Sequence, residues 1–174
     1  VATSTKINVL YNSTPIADID EEVKQVCTAE PNFVLKNTLT EFGVTYKWVG
    51  TGPSGYTHTG TGTPHTVLLT TPGEYSFVLT ATNAQGCEAK DTICEMVFKS
   101  PTVNVTSPTG PLCEGKVYTY TATASPNIAP DSYTYFWNNG VFGNTMSTGE
   151  PGVYMVGISN PDGCGASAIT TPIK

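Results

Sequence analysis

The chain has 174 residues, with 14 acidic and 8 basic residues and a formal net charge of −6. Every basic residue is a lysine. Arginine is the main residue for bidentate contacts to phosphate and guanine, so we expect neither nucleic-acid binding nor docking on an anionic membrane. No apolar run approaches the roughly 20 residues of a membrane-spanning helix, so membrane insertion is not expected either.

Residues 1–13 are predicted to form a strand. Thr5–Ser13, which leads into Pro15, resembles Thr92–Ser100, which leads into Pro101. Since the later segment is predicted to end a first repeat, we expect the earlier one to be the last strand of a preceding repeat. The alternative is an ordinary N-terminal strand of the first domain.

An acidic run follows, formed by Asp18, Asp20, Glu21 and Glu22. Calcium prefers clustered carboxylates, so these four residues are the candidates for a calcium site. A solvated acidic edge is the alternative, because the run lacks the glycine and the spacing of a calcium-binding loop. No other cofactor is expected.

Strands with alternating apolar residues make up much of each half. Tyr75, Phe77 and Leu79 alternate with polar residues, which is the period-2 pattern of a half-buried strand. Several short strands bounded by turn residues indicate a β-sandwich or barrel. The predicted core rests on two tryptophans and two tyrosines at matching places in the two halves: Trp48, Tyr75, Trp137 and Tyr154.

The loops after the tryptophan strands carry further candidate side chains. His58 lies within, and His65 directly after, a Gly/Thr/Pro-rich loop, Gly50–Pro64, that the second half lacks. We interpret them as solvated histidines, with a metal-binding or catalytic role as the alternative. Tyr56 and Phe142 are candidates for stacking on sugars, because loops on a rigid scaffold often carry binding residues; packing at the rim of the core is the alternative.

Two long segments show that the halves are copies of one repeat. Thr71–Cys87 and Glu150–Cys164 both read Pro-Gly-x-Tyr, then a strand, then Asn-x-x-Gly-Cys. Around the tryptophans, Tyr46–Gly50 matches Tyr135–Gly140. The order of these motifs is the same in both halves.

The spacing between a proline and a cysteine indicates where each copy begins. Pro15 lies 12 residues before Cys27, and Pro101 lies 12 residues before Cys113. We therefore predict two β-sandwich repeats, at residues 14–100 and 101–174.

The order of the motifs is that of an immunoglobulin-like sandwich, which has a core tryptophan on its third strand and a tyrosine at the corner into its sixth. Tyr75 and Tyr154 are the candidates for that corner, each tying its hydroxyl to a nearby backbone group. These motifs resemble the PKD-like and immunoglobulin-like repeats of large secreted surface proteins of Bacteroidetes, including gliding-motility adhesins and type 9 secretion substrates. The resemblance implies an all-β fold of tandem immunoglobulin-like (PKD-like) β-sandwich domains.

The resemblance also implies a function. It predicts a non-catalytic repeat fragment of a cell-surface adhesin, outside the cell and attached to the outer membrane through the rest of its parent protein. Expected partners are neighbouring repeats and a surface polysaccharide or another cell-surface protein, and Thr92 resembles a Bacteroidetes O-glycosylation site. A carbohydrate-binding accessory module of a secreted enzyme is the alternative. No Gly-x-Ser-x-Gly, His-Glu-x-x-His or phosphate-loop motif is present, so the fragment itself is not expected to be an enzyme.

The cysteines allow more than one arrangement. One bridge per repeat would join Cys27 to Cys87 and Cys113 to Cys164. Against this, the two cysteines of one repeat are expected near opposite poles of the sandwich, and a disulfide needs Cα atoms within about 7 Å. In that case the cysteines are free thiols, or a cysteine at one pole forms a disulfide with the neighbouring domain. Cys94 has no counterpart, and we interpret it as a buried small hydrophobe, with a reactive or intermolecular thiol as the alternative.

Overall fold

The computed structural model describes residues 12–21, 25–109, 112–113, 115–126 and 132–172. Within these ranges the chain forms thirteen β-strands and one short 3-10 turn, and no α-helix. The predicted strand at residues 1–13 lies almost entirely outside the described residues and stays a prediction.

Contacts divide the chain into two units. Unit 1 comprises Val1–Val26 and Pro31–Val97, and unit 2 comprises Cys27–Glu30 and Phe98–Lys174. The short segment Cys27–Glu30, which is predicted to belong to the first repeat, therefore packs as part of unit 2. The repeat boundaries at residues 14–100 and 101–174 remain a proposal drawn from the sequence motifs.

Unit 1 has a five-stranded sheet in the order β1-β7-β6-β3-β4 and a two-stranded sheet of β2 and β5. The 3-10 turn Pro53–Gly55 lies between β3 and β4. The strands are β1 (Val26–Cys27), β2 (Asn32–Leu35), β3 (Thr45–Thr51), β4 (Thr57–Thr61), β5 (His65–Leu68), β6 (Gly73–Thr82) and β7 (Glu88–Phe98).

Alternation along the strands builds the core of unit 1. On β3 every second residue is buried, including Tyr46 and Trp48, and β6 buries Tyr75, Phe77, Leu79 and Ala81 in the same way. Side chains of the two-stranded sheet join the same cluster, and the rings of Phe33 and Phe77 lie 6.4 Å apart. The two sheets of unit 1 therefore enclose one apolar layer, as in a sandwich.

Unit 2 repeats this plan with shorter strands. One sheet has the order β10-β12-β13 and the other β11-β9-β8, and all of their strand pairs are antiparallel. Tyr120, Trp137, Met146 and Val156 are fully buried between them. The strands are β8 (Thr102–Thr106), β9 (Tyr118–Ser125), β10 (Thr134–Trp137), β11 (Thr145–Thr148), β12 (Met155–Ser159) and β13 (Gly165–Ile169).

Candidate functional site: the cysteine turns and their bridge

The tryptophan of each unit is anchored by the same hydrogen bond. Trp48 Nε1 donates to the backbone oxygen of Gly62 at 2.9 Å, and Trp137 Nε1 donates to that of Gly143 at 3.0 Å. Both tryptophans are fully buried, as predicted. Each indole thus fills the core while its one polar atom is satisfied by the following loop.

The tyrosine corners form as predicted. The hydroxyl of Tyr75 donates to the backbone oxygen of Thr71 at 2.9 Å, and that of Tyr154 donates to the backbone oxygen of Glu150 at 3.1 Å. In each case the acceptor lies four residues earlier in the chain. Tyr75 is buried, and Tyr154 is half-buried and packs against the core cluster of unit 2.

The Asn-x-x-Gly-Cys motifs fold into two equivalent loops, Asn83–Cys87 and Asn160–Cys164, which we call the cysteine turns. In each, Oδ1 of the asparagine accepts from the backbone N–H of the cysteine, at 2.9 and 2.8 Å respectively. The asparagine N–H donates in turn to the cysteine carbonyl, at 3.1 and 2.9 Å. Asparagine is suited to this position because its side chain closes a turn on its own backbone.

The glycines of the cysteine turns complete the match. Gly86 and Gly163 have φ values of 83° and 76°, a left-handed conformation that glycine adopts without a steric penalty. Each donates its N–H to the carbonyl of the turn's asparagine, at 3.0 and 2.9 Å. Two turns with the same residues, the same backbone conformation and the same hydrogen bonds are equivalent positions of one repeat.

Cys164 forms a disulfide with Cys27, with Cα atoms 5.8 Å apart and a separation of 137 residues. The segment Cys27–Glu30 is held in unit 2 by further contacts. Thr28 donates its N–H to the backbone oxygen of Phe98 at 2.9 Å, and Ala29 donates to Oγ of Ser100 at 2.9 Å. The bridge therefore closes onto a segment that already packs beside the cysteine turn.

This pairing corrects the arrangement of one bridge per repeat: Cys27–Cys87 and Cys113–Cys164 do not form. The reason is the length of β7. Cys87 immediately precedes the first residue of this 11-residue strand, whereas Thr28, next to Cys27, is bonded to its last residue. Ten residue steps along a strand span about 33 Å, far beyond the ~7 Å that a disulfide allows. The expectation that these cysteines lie at opposite poles is thus correct for the first repeat.

All five cysteines lie in the described part of the chain, and three of them are free thiols: Cys87, Cys94 and Cys113. Cys87 is half-buried, and the other two are exposed. The prediction that Cys94 is a buried small hydrophobe is wrong. On β7 the inward-facing residues are Ile93 and Val97, so the alternation places Cys94 on the outer face, together with half-exposed Met96.

The two histidines lie on strands and contact each other. Nε2 of His58 on β4 and Nε2 of His65 on β5 are 2.8 Å apart, within hydrogen-bond distance. Gly60 makes this contact possible, because a Cβ at that position would overlap the His65 ring. Burial, together with the neighbouring His65, lowers the pKa of His58 below its ordinary value. Both histidines are half-buried, and they lie on strands where the sequence predicts a loop.

The two aromatic residues proposed for sugar contact have different surroundings. Tyr56 packs edge-on against Tyr75, with ring centroids 4.9 Å apart, and burial raises its pKa above the ordinary value; this is the rim packing given as the alternative. Phe142 is 72% exposed, and its ring lies 5.3 Å from that of Phe136, which is 48% exposed. Of the two proposed residues, Phe142 is therefore exposed and Tyr56 is half-buried.

Two members of the acidic run, Asp18 and Asp20, have protein partners. Lys36 Nζ lies 3.0 Å from Oδ2 of Asp20, and Thr38 donates its hydroxyl to Oδ2 of Asp18 at 2.7 Å. Glu22 lies outside the described residues. Among the residues that are described, no group of three or more histidine, cysteine or acidic side chains is placed to hold a metal ion, and the calcium site stays a prediction.

Thr92 is exposed on β7, so its hydroxyl is accessible on the strand surface. Its glycosylation stays a prediction. Within the described ranges, no helix is long and apolar enough to cross a membrane.

No protein-family model matches this chain, and no curated protein sequence does. Among solved structures, it is similar to a C-terminal 282-residue fragment of intimin in complex with the intimin-binding domain of the translocated intimin receptor, with a TM-score of 0.52 and 14% identity over 92% of this chain. The chain spans 64% of the length of that fragment.

Two further matches have lower TM-scores. The fibronectin(III)-like modules of CbhA from Clostridium thermocellum give a TM-score of 0.40, with 17% identity over 88% of this chain and 91% of theirs. The full ectodomain (Ig1–Ig3) of mouse nectin-like molecule 4 gives 0.35, with 15% identity over 91% of this chain and 63% of its own.

At these identities the similarity concerns the fold alone. The match to intimin, the buried tryptophans and the tyrosine corners agree on one class of protein. The chain is an all-β protein made of immunoglobulin-like β-sandwich units.

Proposed function

We propose that this chain is part of a bacterial cell-surface adhesin, in which its repeats act as a spacer and offer an adhesive surface for cell adhesion or gliding. Support comes from the two units built on one motif and from the disulfide, a bond that persists in oxidising, extracellular surroundings. Protein partners suit this fold, since the similar intimin fragment is bound to a receptor domain. A Bacteroidetes surface protein exported by type 9 secretion is the parent that we propose.

The observation that carries the proposal is the position of the Cys27–Cys164 bridge. It spans 137 residues of the sequence, so a pulling force applied to the two ends passes from residue 27 to residue 164 through the sulfur atoms. The residues between them cannot be drawn out while the bridge is intact. A spacer that holds a binding tip away from a cell surface needs this resistance to extension.

Single-molecule pulling on the two ends of the chain tests the proposal. An extended chain reaches about 3.3–3.6 Å per residue, so the bridge withholds about 450 Å of extension over its 137 residues. We expect the oxidised chain to stop short by this length and the reduced chain to release it.

A matched pair of variants controls the experiment. Cys27→Ser should release the full length without reductant, whereas Cys94→Ser, which removes an exposed free thiol, should behave like the parent chain. Full extension of the unmutated chain under oxidising conditions would contradict the spacer role.

The second candidate, a carbohydrate-binding module, is favoured by the exposed pair Phe136 and Phe142. Aromatic faces open to solvent on a hairpin are suited to stacking on sugar rings. Glycan binding that is lost in Phe142→Ala but retained in Tyr56→Phe would support this function over that of a spacer.

A further inference from the structure

The sequence repeat assigns every cysteine except Cys94 to one of two equivalent sets. We call Cys27 and Cys113 the early cysteines and Cys87 and Cys164 the late cysteines. The late pair is equivalent because each closes the same cysteine turn with the same hydrogen bonds.

The early pair is equivalent in spacing and in local structure. Each early cysteine lies 12 residues after the proline that begins its repeat. Each also accepts a backbone hydrogen bond from the residue three positions later: Glu30 to Cys27 at 2.9 Å and Lys116 to Cys113 at 3.4 Å. Both early cysteines thus accept the same kind of backbone hydrogen bond shortly before a strand.

The observed bridge joins the early cysteine of one repeat to the late cysteine of the next. It leaves one late cysteine, Cys87, and one early cysteine, Cys113, as free thiols. These are the two positions that a neighbouring repeat on either side would fill if the same rule continued along the chain.

The surroundings of Cys87 match those of Cys164. Asn160 Nδ2 donates to the backbone oxygen of Lys99 at 3.3 Å, and Asn83 Nδ2 donates to that of Ser13 at 2.8 Å. Ser13 and Lys99 each lie two residues before the proline that begins a repeat. The chain that enters unit 1 therefore meets its cysteine turn as the chain that enters unit 2 does.

This match extends to the place where an early cysteine docks. Beside Cys164, the residue before Lys99 is Phe98, whose carbonyl holds the turn that carries Cys27. The equivalent residue before Ser13 is Asn12. A preceding repeat would present its early cysteine to Cys87 in the same way.

We propose that Cys87 and Cys113 are the open ends of a disulfide ladder, in which Cys87 bonds the early cysteine of a preceding repeat and Cys113 bonds the late cysteine of a following one. The partner is an adjacent repeat of this same type. Each bond forms by thiol–disulfide exchange with a small disulfide oxidant such as oxidised glutathione. Two cysteine thiols become one disulfide, and their two protons and two electrons reduce the oxidant to two molecules of thiol.

The inference concerns covalent connectivity and does not depend on the proposed adhesive role. Because each loop would overlap the next, the ladder would extend resistance to pulling from one pair of repeats to the whole array. An array joined only by single peptide linkers would lack this property.

A tandem chain tests the ladder. Lys174 lies ten residues after Cys164, as Val97 does after Cys87, and the residue after Val97 corresponds to Asn12. Joining Lys174 directly to residue 12 of a second copy therefore keeps the register. After folding in a glutathione redox buffer, free thiols are alkylated and the disulfides are mapped by mass spectrometry without reduction.

The expected map has Cys27–Cys164 in each copy and a third bridge from Cys113 of the first copy to Cys87 of the second. Of the ten cysteines in this tandem chain, four would then be alkylated instead of six. The two Cys27–Cys164 bridges report that both copies have folded. With those bridges present, alkylated Cys113 and Cys87 at the junction, or a bond from Cys87 to Cys94, would overturn the proposal.

Two variants of the tandem chain sharpen the result. Cys94→Ser should leave all three bridges in place. Cys113→Ser in the first copy should leave Cys87 of the second copy fully alkylated, and any remaining bond at that Cys87 would also overturn the ladder.

Discussion

The tyrosine corner of unit 1 gives the sharpest prediction about stability. Tyr75→Phe removes one hydroxyl and leaves the ring, which is 1% exposed and packs edge-on against Tyr56, in place. The lost hydrogen bond to Thr71 is 2.9 Å long. A buried neutral hydrogen bond contributes about 1 kcal/mol net. Because water can reach the half-exposed Thr71, its carbonyl does not add the larger penalty of a buried acceptor left without a partner. We expect unit 1 to lose about 1–1.4 kcal/mol.

The matching change in unit 2 should cost less. The Tyr154 hydroxyl is bonded to Glu150 at 3.1 Å and lies 3.2 Å from Oγ1 of Thr148, but Tyr154 is only half-buried and Glu150 is exposed. Because water replaces the lost partner more readily at an exposed site, Tyr154→Phe should cost roughly 0.5 kcal/mol or less.

Hydrogen–deuterium exchange read peptide by peptide separates the two units. Since 1.4 kcal/mol corresponds to a tenfold change in an equilibrium constant, Tyr75→Phe should speed exchange in β6 by about five- to tenfold and leave β12 unchanged. Tyr154→Phe should speed exchange in β12 by about twofold. A change in β6 of less than twofold, or an equal effect of the two variants on their own units, would refute the reasoning from burial.

Two further predictions concern the histidine pair. The lowered pKa of His58 means that the folded state favours the neutral imidazole. The stability that this contributes is fully present above the ordinary pKa of about 6.5 and is lost as the pH falls from there towards the lower pKa of the folded state. Thermal unfolding should therefore show a lower Tm at pH 5.5 than at pH 7.5, and His58→Gln should reduce the difference. Gly60→Ala places a methyl group against the end of the His65 side chain, which must turn away from His58. The lost hydrogen bond should destabilise unit 1 by about 1 kcal/mol, measured by exchange in β4.

Controls exist for both. Burial raises the pKa of Glu95, and this group favours folding as the pH falls. The Tm of His58→Gln is therefore compared with that of the unmutated chain at each pH, so that the contribution of Glu95 cancels. For the glycine, Gly157→Ala adds a methyl group that meets only the backbone oxygen of Phe136 at 3.9 Å and should be nearly neutral. An unchanged pH profile in His58→Gln, or equal losses from the two glycine variants, would contradict the respective prediction.

The sequence by itself determined the features that depend on residues close together in the chain. Alternation predicted the strands that bury Phe77 and Leu79, because side chains on a strand change faces at every residue. The internal repeat predicted the paired tryptophans and the tyrosine corners, whose acceptors lie four residues from Tyr75 and Tyr154. Immunoglobulin-like architecture followed from the order of these local motifs.

The tertiary structure decided which distant side chains meet. The partner of Cys27 depends on the length of β7 and on the unit with which the segment Cys27–Glu30 packs. The spacing of the cysteines in the sequence predicts neither of these. The contact between His58 and His65 depends on two neighbouring strands and on the space left by Gly60. The exposure of Cys94 could be predicted from the sequence, because the alternation that buries Ile93 and Val97 on β7 places Cys94 on the outer face.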